Sequence, residues 1–200
     1  MSDLFLPRPW WVNLLILVPV LTFFFFRNNR PSLGIPQLLV SGLFAIAFSF
    51  VEASVVIYLR AITGFLTGGG LAEVGNFSSS FYQDARIVPD FPPSLLKIEV
   101  LREAATILML GFIALLTVRG IKERWAVFLW AFAIWDIFYY VSLRLTVGWP
   151  SSLKTPDVLF LIPVPWISQV WFPLAVSTLT LLSILAVRTG PREKRVYHFS

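Results

Sequence analysis

Residues 95–118 constrain the fold of this chain more than any other stretch, because they are apolar over the length of a membrane helix yet carry charges in their first turns. Glu99, Arg102 and Glu103 stand at positions i, i+3 and i+4, which places them on one face of a helix. Charges in hydrocarbon are costly, so such residues by default face one another or a wet cavity and are candidates for a functional site. We therefore expect this helix to turn its charged face toward neighbouring helices in a membrane bundle.

The overall composition supports that class of protein. The 200 residues are 57% hydrophobic and only 14% charged, with a mean hydropathy of +0.78, whereas soluble domains are roughly a quarter charged. This length accommodates about five spans of ~20 residues and leaves no room for a soluble domain. The expected fold class is an all-α polytopic membrane helix bundle that occupies residues 1–200 as a single domain.

Hydropathy places the five spans at residues 10–26, 37–66, 95–118, 125–147 and 166–187. The first reads as an uncleaved span, because no small-residue cleavage site follows its apolar run. Residues 67–94 form a long polar outer loop, either a cap over the mouth of the bundle or a plain connector. Pro163 and Pro165 interrupt the last apolar region, which predicts a short, proline-broken half-helix over residues 157–165 at the outer face.

The basic residues predict the orientation. Nine of the sixteen lie at alternate span ends, all on one side of the membrane in a five-span arrangement. They are Arg27, Arg30, Arg119, Lys122, Arg124, Arg188, Arg192, Lys194 and Arg195. Because basic loops stay in the cytoplasm, the N-terminus is expected outside and the C-terminus in the cytoplasm.

The composition also excludes several kinds of chemistry. Without cysteine, the chain alone cannot ligate an iron–sulfur cluster or a Cys-bound zinc ion. Its only histidine is His198, in the polar tail, so the chain alone cannot hold haem with two axial histidines or a His-containing di-iron site. The identity of any cofactor stays open. The net charge of +5 does not indicate nucleic acid, since the basic residues flank apolar spans, where the lipid bilayer is the expected partner.

Two other spans add ionisable residues to the three on residues 95–118. Glu52 and Arg60 lie on the second span, and Asp136, Tyr140 and Arg144 recur every four residues on the fourth. Lys97 stands at the rim. The predicted cluster therefore balances four carboxylates against four cations.

Three functions fit such a cluster. A self-satisfied charge network would belong to a structural or accessory subunit of a membrane complex, with membrane-protein partners or a second copy of the chain. A ligand site for an anionic lipid head group and a divalent cation would use the arginines for phosphate oxygens. Its metal ligands would be Glu52, Glu99, Glu103 and Asp136. A small proton-coupled transporter would use the mid-depth acids as proton carriers. Whether the protein is an enzyme stays open.

Five blocks of the sequence carry a resemblance to other proteins. They are FVEASVVIYLR (50–60), LREAATILML (101–110), WDIFYY (135–140), GWPSSL (148–153) and DVLFLIPVPW (157–166). In these blocks the chain resembles a group of uncharacterised polytopic bacterial inner-membrane proteins. The resemblance implies a bacterial membrane protein and implies no activity, cofactor or catalytic residue.

Overall fold

The computed structural model describes residues 7–64 and 93–188, with only the helical backbone for residues 60–64, and forms a helix bundle with one β-hairpin. The chain begins with a 3-10 helix at Trp10–Ile16 that leads into the first α-helix. The elements that follow are α1 (Leu17–Asn28), α2 (Ile35–Gly64), α3 (Pro93–Thr117), α4 (Ile121–Val147), β1 (Pro156–Phe160), β2 (Trp166–Gln169) and α5 (Trp171–Val187).

The helices have the length and composition that a membrane requires. Four helical segments among the described residues are long and apolar enough to cross it, at Trp10–Asn28, Ile35–Leu59, Pro93–Thr117 and Ile121–Val147. The mostly helical, membrane-type fold predicted from the sequence is confirmed at this level. The fifth helix, α5, has 17 residues, or about 26 Å.

The most extensive packing in the bundle joins α2 to α4. Gly42 permits a close approach there, because a Cβ atom at this position would lie 3.2 Å from the Cδ1 atom of Ile134 and 3.4 Å from the Nε1 atom of Trp130. The same indole nitrogen donates a hydrogen bond of 3.0 Å to the Leu38 carbonyl. A small residue at the contact thus brings two backbones together and lets a side chain bond across them.

The three helices that carry the predicted charged residues, α2, α3 and α4, are mutual neighbours, as the sequence predicted. Helix α1 packs chiefly against α5, which also contacts α4. Gly148 ends α4 in the left-handed conformation (φ 71°) and donates its N–H to the Arg144 carbonyl. Glycine adopts this conformation without a steric penalty, so it is a common residue just past a helix end.

The predicted half-helix over residues 157–165 is wrong. This stretch forms an antiparallel hairpin in which Val158 pairs with Ile167 and Phe160 with Trp166. The fifth helix accordingly begins at Trp171 rather than at residue 166, and the fold is not purely helical. The physical reason is that prolines disfavour helix at several successive positions, while the flanking Val, Ile, Phe and Trp residues are good strand formers.

The hairpin reaches along the bundle rather than lying across its end. Its base is closed by hydrogen bonds from the Val170 N–H to the Thr155 carbonyl and from the Trp171 N–H to the Leu153 carbonyl. Its strand β1 ends at Phe160, whose ring stacks on that of Phe132, 6.2 Å away, about halfway along α4. The tip, residues 161–165, therefore lies near the middle of α4, away from the helix end at which the hairpin starts.

The outer edge of β2 is covered by the N-terminal segment. Arg8 and Ile167 exchange two backbone hydrogen bonds of 2.8 Å each, which makes Arg8 a one-residue third strand. The Trp11 ring, in the following 3-10 helix, meets the ring of Trp166 edge to face at 5.0 Å. This arrangement satisfies backbone groups that an open sheet edge would leave exposed.

Candidate functional site

The first part of the polar site is built around Arg102 on α3. Its guanidinium pairs with Glu52 on α2, and its Nε and Nη2 atoms donate to the Glu99 carboxylate at 3.1 and 2.8 Å. Glu52 also accepts a hydrogen bond of 2.9 Å from the Thr106 hydroxyl. Both carboxylates are buried, whereas the Arg102 side chain keeps 20% of its surface exposed. The prediction that Arg102 contacts a carboxylate from another span is confirmed.

Glu103 also lies on α3 but has a different kind of partner. Both of its oxygens accept the backbone N–H of Leu161, at 3.0 and 2.8 Å, and the N–H of Ile162 lies near the same carboxylate. The carboxylate is buried at 8% exposure and lies within electrostatic reach of Arg102. Glu103 therefore joins α3 to the hairpin tip rather than completing a further ion pair.

The two prolines of the tip reduce the number of backbone N–H groups that need a partner. Of the five residues 161–165, Pro163 and Pro165 have no N–H to satisfy. Glu103 accepts the N–H of Leu161 and lies near the N–H of Ile162, the residue before Pro163. Buried backbone groups are costly unless they are satisfied, and the tip sequence reduces that cost.

The second part of the site lies on α4. The Tyr140 hydroxyl donates to the Oδ2 atom of Asp157 in β1 at 2.9 Å, and both residues are buried. One turn earlier, Asp136 accepts a hydrogen bond of 2.7 Å from the Ser177 hydroxyl on α5. Asp136 and Asp157 are close enough to interact electrostatically. These contacts join α4 to the hairpin on one side and to α5 on the other.

An aromatic cluster fills the space between α4 and the hairpin. The Phe160 ring lies 6.4 Å from that of Trp135 and 5.3 Å from that of Trp166, and Trp135 stacks on Tyr139 at 6.0 Å. Rings at these separations add packing energy beyond their buried area. Apolar stacking thus holds the hairpin along its length, and hydrogen bonds hold it at its tip and base.

The remaining predicted residues lie apart from these two groups. Arg144 is exposed and donates to the carbonyls of Gly148 and Pro150 rather than to a carboxylate. Lys97 is exposed. The side chain of Arg60 lies outside the described residues, as do residues 67–92 of the predicted outer loop, whose last two residues begin α3.

The predicted set of metal ligands is not brought together. Glu52 and Glu99 meet at Arg102, Glu103 bonds the hairpin, and Asp136 bonds Ser177 on the far helix. Among the described residues there is no group of three acids, histidines or cysteines placed to hold one ion. Glu52 and Glu99 share Arg102, whereas Glu103 and Asp136 each connect a different pair of elements.

Sequence reasoning overlooked four participants: Thr106, Asp157, Ser177 and the Leu161 backbone. Thr106 had a signal, since it follows Arg102 by four positions and therefore shares its helix face. Asp157 stands at the start of the predicted half-helix, and nothing in the sequence indicates the hairpin that brings it to Tyr140. Ser177 is one of several hydroxyls on α5, and nothing in the pattern distinguishes it.

Comparison with known proteins adds no assignment, because no family model, no curated protein and no solved structure matches this chain. The function therefore has to be argued from the geometry of its own residues.

Proposed function

We propose that this chain is a structural or accessory subunit of a bacterial inner-membrane complex, in which a buried polar network holds a β-hairpin within a helix bundle. The observation that carries the proposal is that the buried carboxylates are bonded within the chain itself. Glu52 and Glu99 bind Arg102, Glu103 binds the Leu161 N–H, and Asp157 binds Tyr140.

The partners of these carboxylates favour a structural role over a ligand site. A site for a phosphate head group would present arginine N–H groups to the ligand, yet Arg102 already donates through Nε, Nη1 and Nη2 to two glutamates. A shared cation would need carboxylate oxygens that converge, yet both Glu103 oxygens accept a backbone N–H. These groups serve the fold, and the surfaces of the bundle are left to meet partner proteins.

The network also has a physical role that requires no ligand. Buried ion pairs contribute little net stability, because the loss of hydration offsets their attraction. Irregular backbone at membrane depth, however, must find partners in the protein. Glu103 and Asp157 connect such backbone to α3 and α4, and Arg102 offsets the charge beside Glu103. We infer that the charges are retained because the hairpin needs them.

The proposal includes five spans, with the N-terminus outside and the C-terminus in the cytoplasm. At about 26 Å, helix α5 is short against a hydrocarbon core of ~30 Å. Helix α5 begins two residues after β2, so the base of the hairpin lies next to the first turn of this short helix and extends the protein beyond it. The basic residues at alternate helix ends set the proposed direction.

A thermal-shift experiment separates the structural role from the cation site. We expect wild-type protein in neutral detergent to gain no stability from Mg²⁺, Mn²⁺ or Ca²⁺, while Arg102→Gln and Glu103→Gln lower its melting temperature. Stabilisation by a bound ion would be about 2.7 kcal/mol at a hundredfold excess over the dissociation constant, which is easily measured. A cation-induced rise that Glu103→Gln abolishes would instead establish a ligand site.

The subunit assignment has its own test. Protein extracted from its native membrane in a mild detergent should run, in native mass spectrometry, at a mass well above the 22.7 kDa of one chain. A bare monomer under conditions that preserve other membrane complexes would contradict the assignment.

A further inference from the structure

The end of the bundle opposite the hairpin carries a dense positive charge. It is formed by the turn between α1 and α2, the turn between α3 and α4, and the end of α5. These segments are tied together by hydrogen bonds from Lys122 to Asn29, from the Ser32 N–H to Glu123, and from Arg188 to the Leu33 carbonyl. Residues 27–34, 118–124 and 188 contain six arginines and lysines and one carboxylate. We refer to these residues as the basic end.

The six cations fall into two groups. Lys122 and Arg188 donate hydrogen bonds to the turn between α1 and α2, Arg124 donates one to the Val118 carbonyl in its own turn, and all three are half-buried. Arg27, Arg30 and Arg119 are exposed. Within residues 7–64 and 93–188, their side chains make no hydrogen bond or ion pair. The first group fixes the turns, and the second is available to an external anion.

We propose that Arg27, Arg30 and Arg119 form a binding surface for the phosphate head groups of anionic phospholipids. Arg27 lies in the last turn of α1, and Arg119 lies between the end of α3 and the start of α4. Both positions are the ends of helices long enough to span a bilayer, which is the level at which lipid phosphates lie.

An aromatic residue at the same level supports lipid as the occupant. Trp125, in the first turns of α4, is 54% exposed, and tryptophan concentrates at the boundary between head groups and acyl chains. Exposed apolar side chains extend from this level into the bundle's lipid-facing surface, among them Phe24 and Phe25 on α1. A lipid satisfies both features at once, since its phosphate meets the arginines and its chains meet the aromatic rings.

The chemistry of arginine suits a phosphate head group. Arginine binds phosphate through two parallel N–H groups, and a juxtamembrane cation contributes about 1 kcal/mol to binding an anionic leaflet. Removing one arginine should therefore weaken lipid binding about fivefold. The loss for all three together should exceed about a hundredfold, and it should shrink as salt rises.

The test compares lipid binding by three proteins in neutral detergent. These are the wild type, the variant Arg27→Gln/Arg30→Gln/Arg119→Gln, and the control Arg8→Gln/Lys97→Gln/Lys154→Gln, which removes three exposed positive charges elsewhere. Phosphatidylglycerol should raise the melting temperature of the wild type and of the control but not that of the first variant. Phosphatidylcholine and inorganic phosphate should leave all three unchanged.

A second measurement needs no variant. In native mass spectrometry, wild-type protein offered equal amounts of the two lipids should retain phosphatidylglycerol in clear excess over phosphatidylcholine. Equal retention of the two lipids would overturn the proposal. So would a full phosphatidylglycerol shift in the first variant, an equal loss in the control, or an effect reproduced by inorganic phosphate.

Discussion

The two ends of the bundle place their charges in opposite ways. At the basic end the core is apolar, with Phe26, Leu33 and Ile184 packed against α4, and its arginines lie on the surface. At the hairpin end, the carboxylates of Glu52, Glu103 and Asp157 are buried. The two ends also differ in the sign of their charges, cationic at the basic end and mainly acidic at the hairpin end, and they differ in what the backbone does there.

Backbone regularity explains that difference. At the basic end the turns lie at the ends of the helices, where water can satisfy their polar groups, so charges are free to remain outside. At the hairpin end, extended backbone continues along the bundle to the level of Phe132 and requires partners from side chains. Buried charge therefore lies at the end of the bundle that contains irregular backbone. Three sets of substitutions test this relation, in order of decreasing expected change in the free energy of unfolding.

Replacing Arg102 should have the largest effect on stability. Arg102→Gln leaves the buried carboxylates of Glu52 and Glu99 without their cation, and it should lower the free energy of unfolding by about 3–5 kcal/mol. Chemical denaturation in neutral detergent measures the change, with the exposed Lys97→Gln on the same helix as control. If both variants unfold alike, the comparison between the ends fails.

Removing the Tyr140 hydroxyl should have an intermediate effect. Tyr140→Phe keeps the ring but deprives the buried Asp157 of one donor, which should lower the free energy of unfolding by about 1.5–3 kcal/mol. The control is Tyr58→Phe, because Tyr58 is 66% exposed. An equal loss in the two variants would mean that the hydroxyl near the hairpin has no special role.

Substitutions at the basic end should have the smallest effect. Arg27→Gln and Arg119→Gln remove exposed charges without partners among the described residues, so stability in neutral detergent should stay within about 0.5 kcal/mol of wild type. The same denaturation experiment measures this. A loss of several kcal/mol there would show that surface charge at this end also maintains the fold.

Much of the helical architecture could be read from the sequence. Hydropathy located α2, α3 and α4 to within about four residues at each end, and the i, i+3, i+4 spacing placed Glu99, Arg102 and Glu103 on the face that meets other elements. These features follow from local composition and helical periodicity, which need no knowledge of the neighbours.

The hairpin and the partners of the charges could not be read in this way. The run around Pro163 and Pro165 excludes a regular helix, but an apolar segment of that length fits either a broken helix or a strand pair. Once a helix was assumed, Glu103 was expected to find a cation rather than a backbone N–H. The partner of a buried carboxylate depends on tertiary structure, and charge counting alone cannot identify it.

The most direct test of the account is the hydrogen exchange of the hairpin tip in Glu103→Ala, compared with Glu103→Gln and wild type. Because Glu103 accepts the Leu161 N–H through both oxygens, its loss should leave the protein folded but speed amide exchange at Leu161 by about tenfold or more, the equivalent of 1.4 kcal/mol. Glutamine keeps one acceptor oxygen and should give an intermediate rate. Unchanged exchange at the tip in a folded Glu103→Ala protein would contradict the claim that the buried carboxylates hold the hairpin in place.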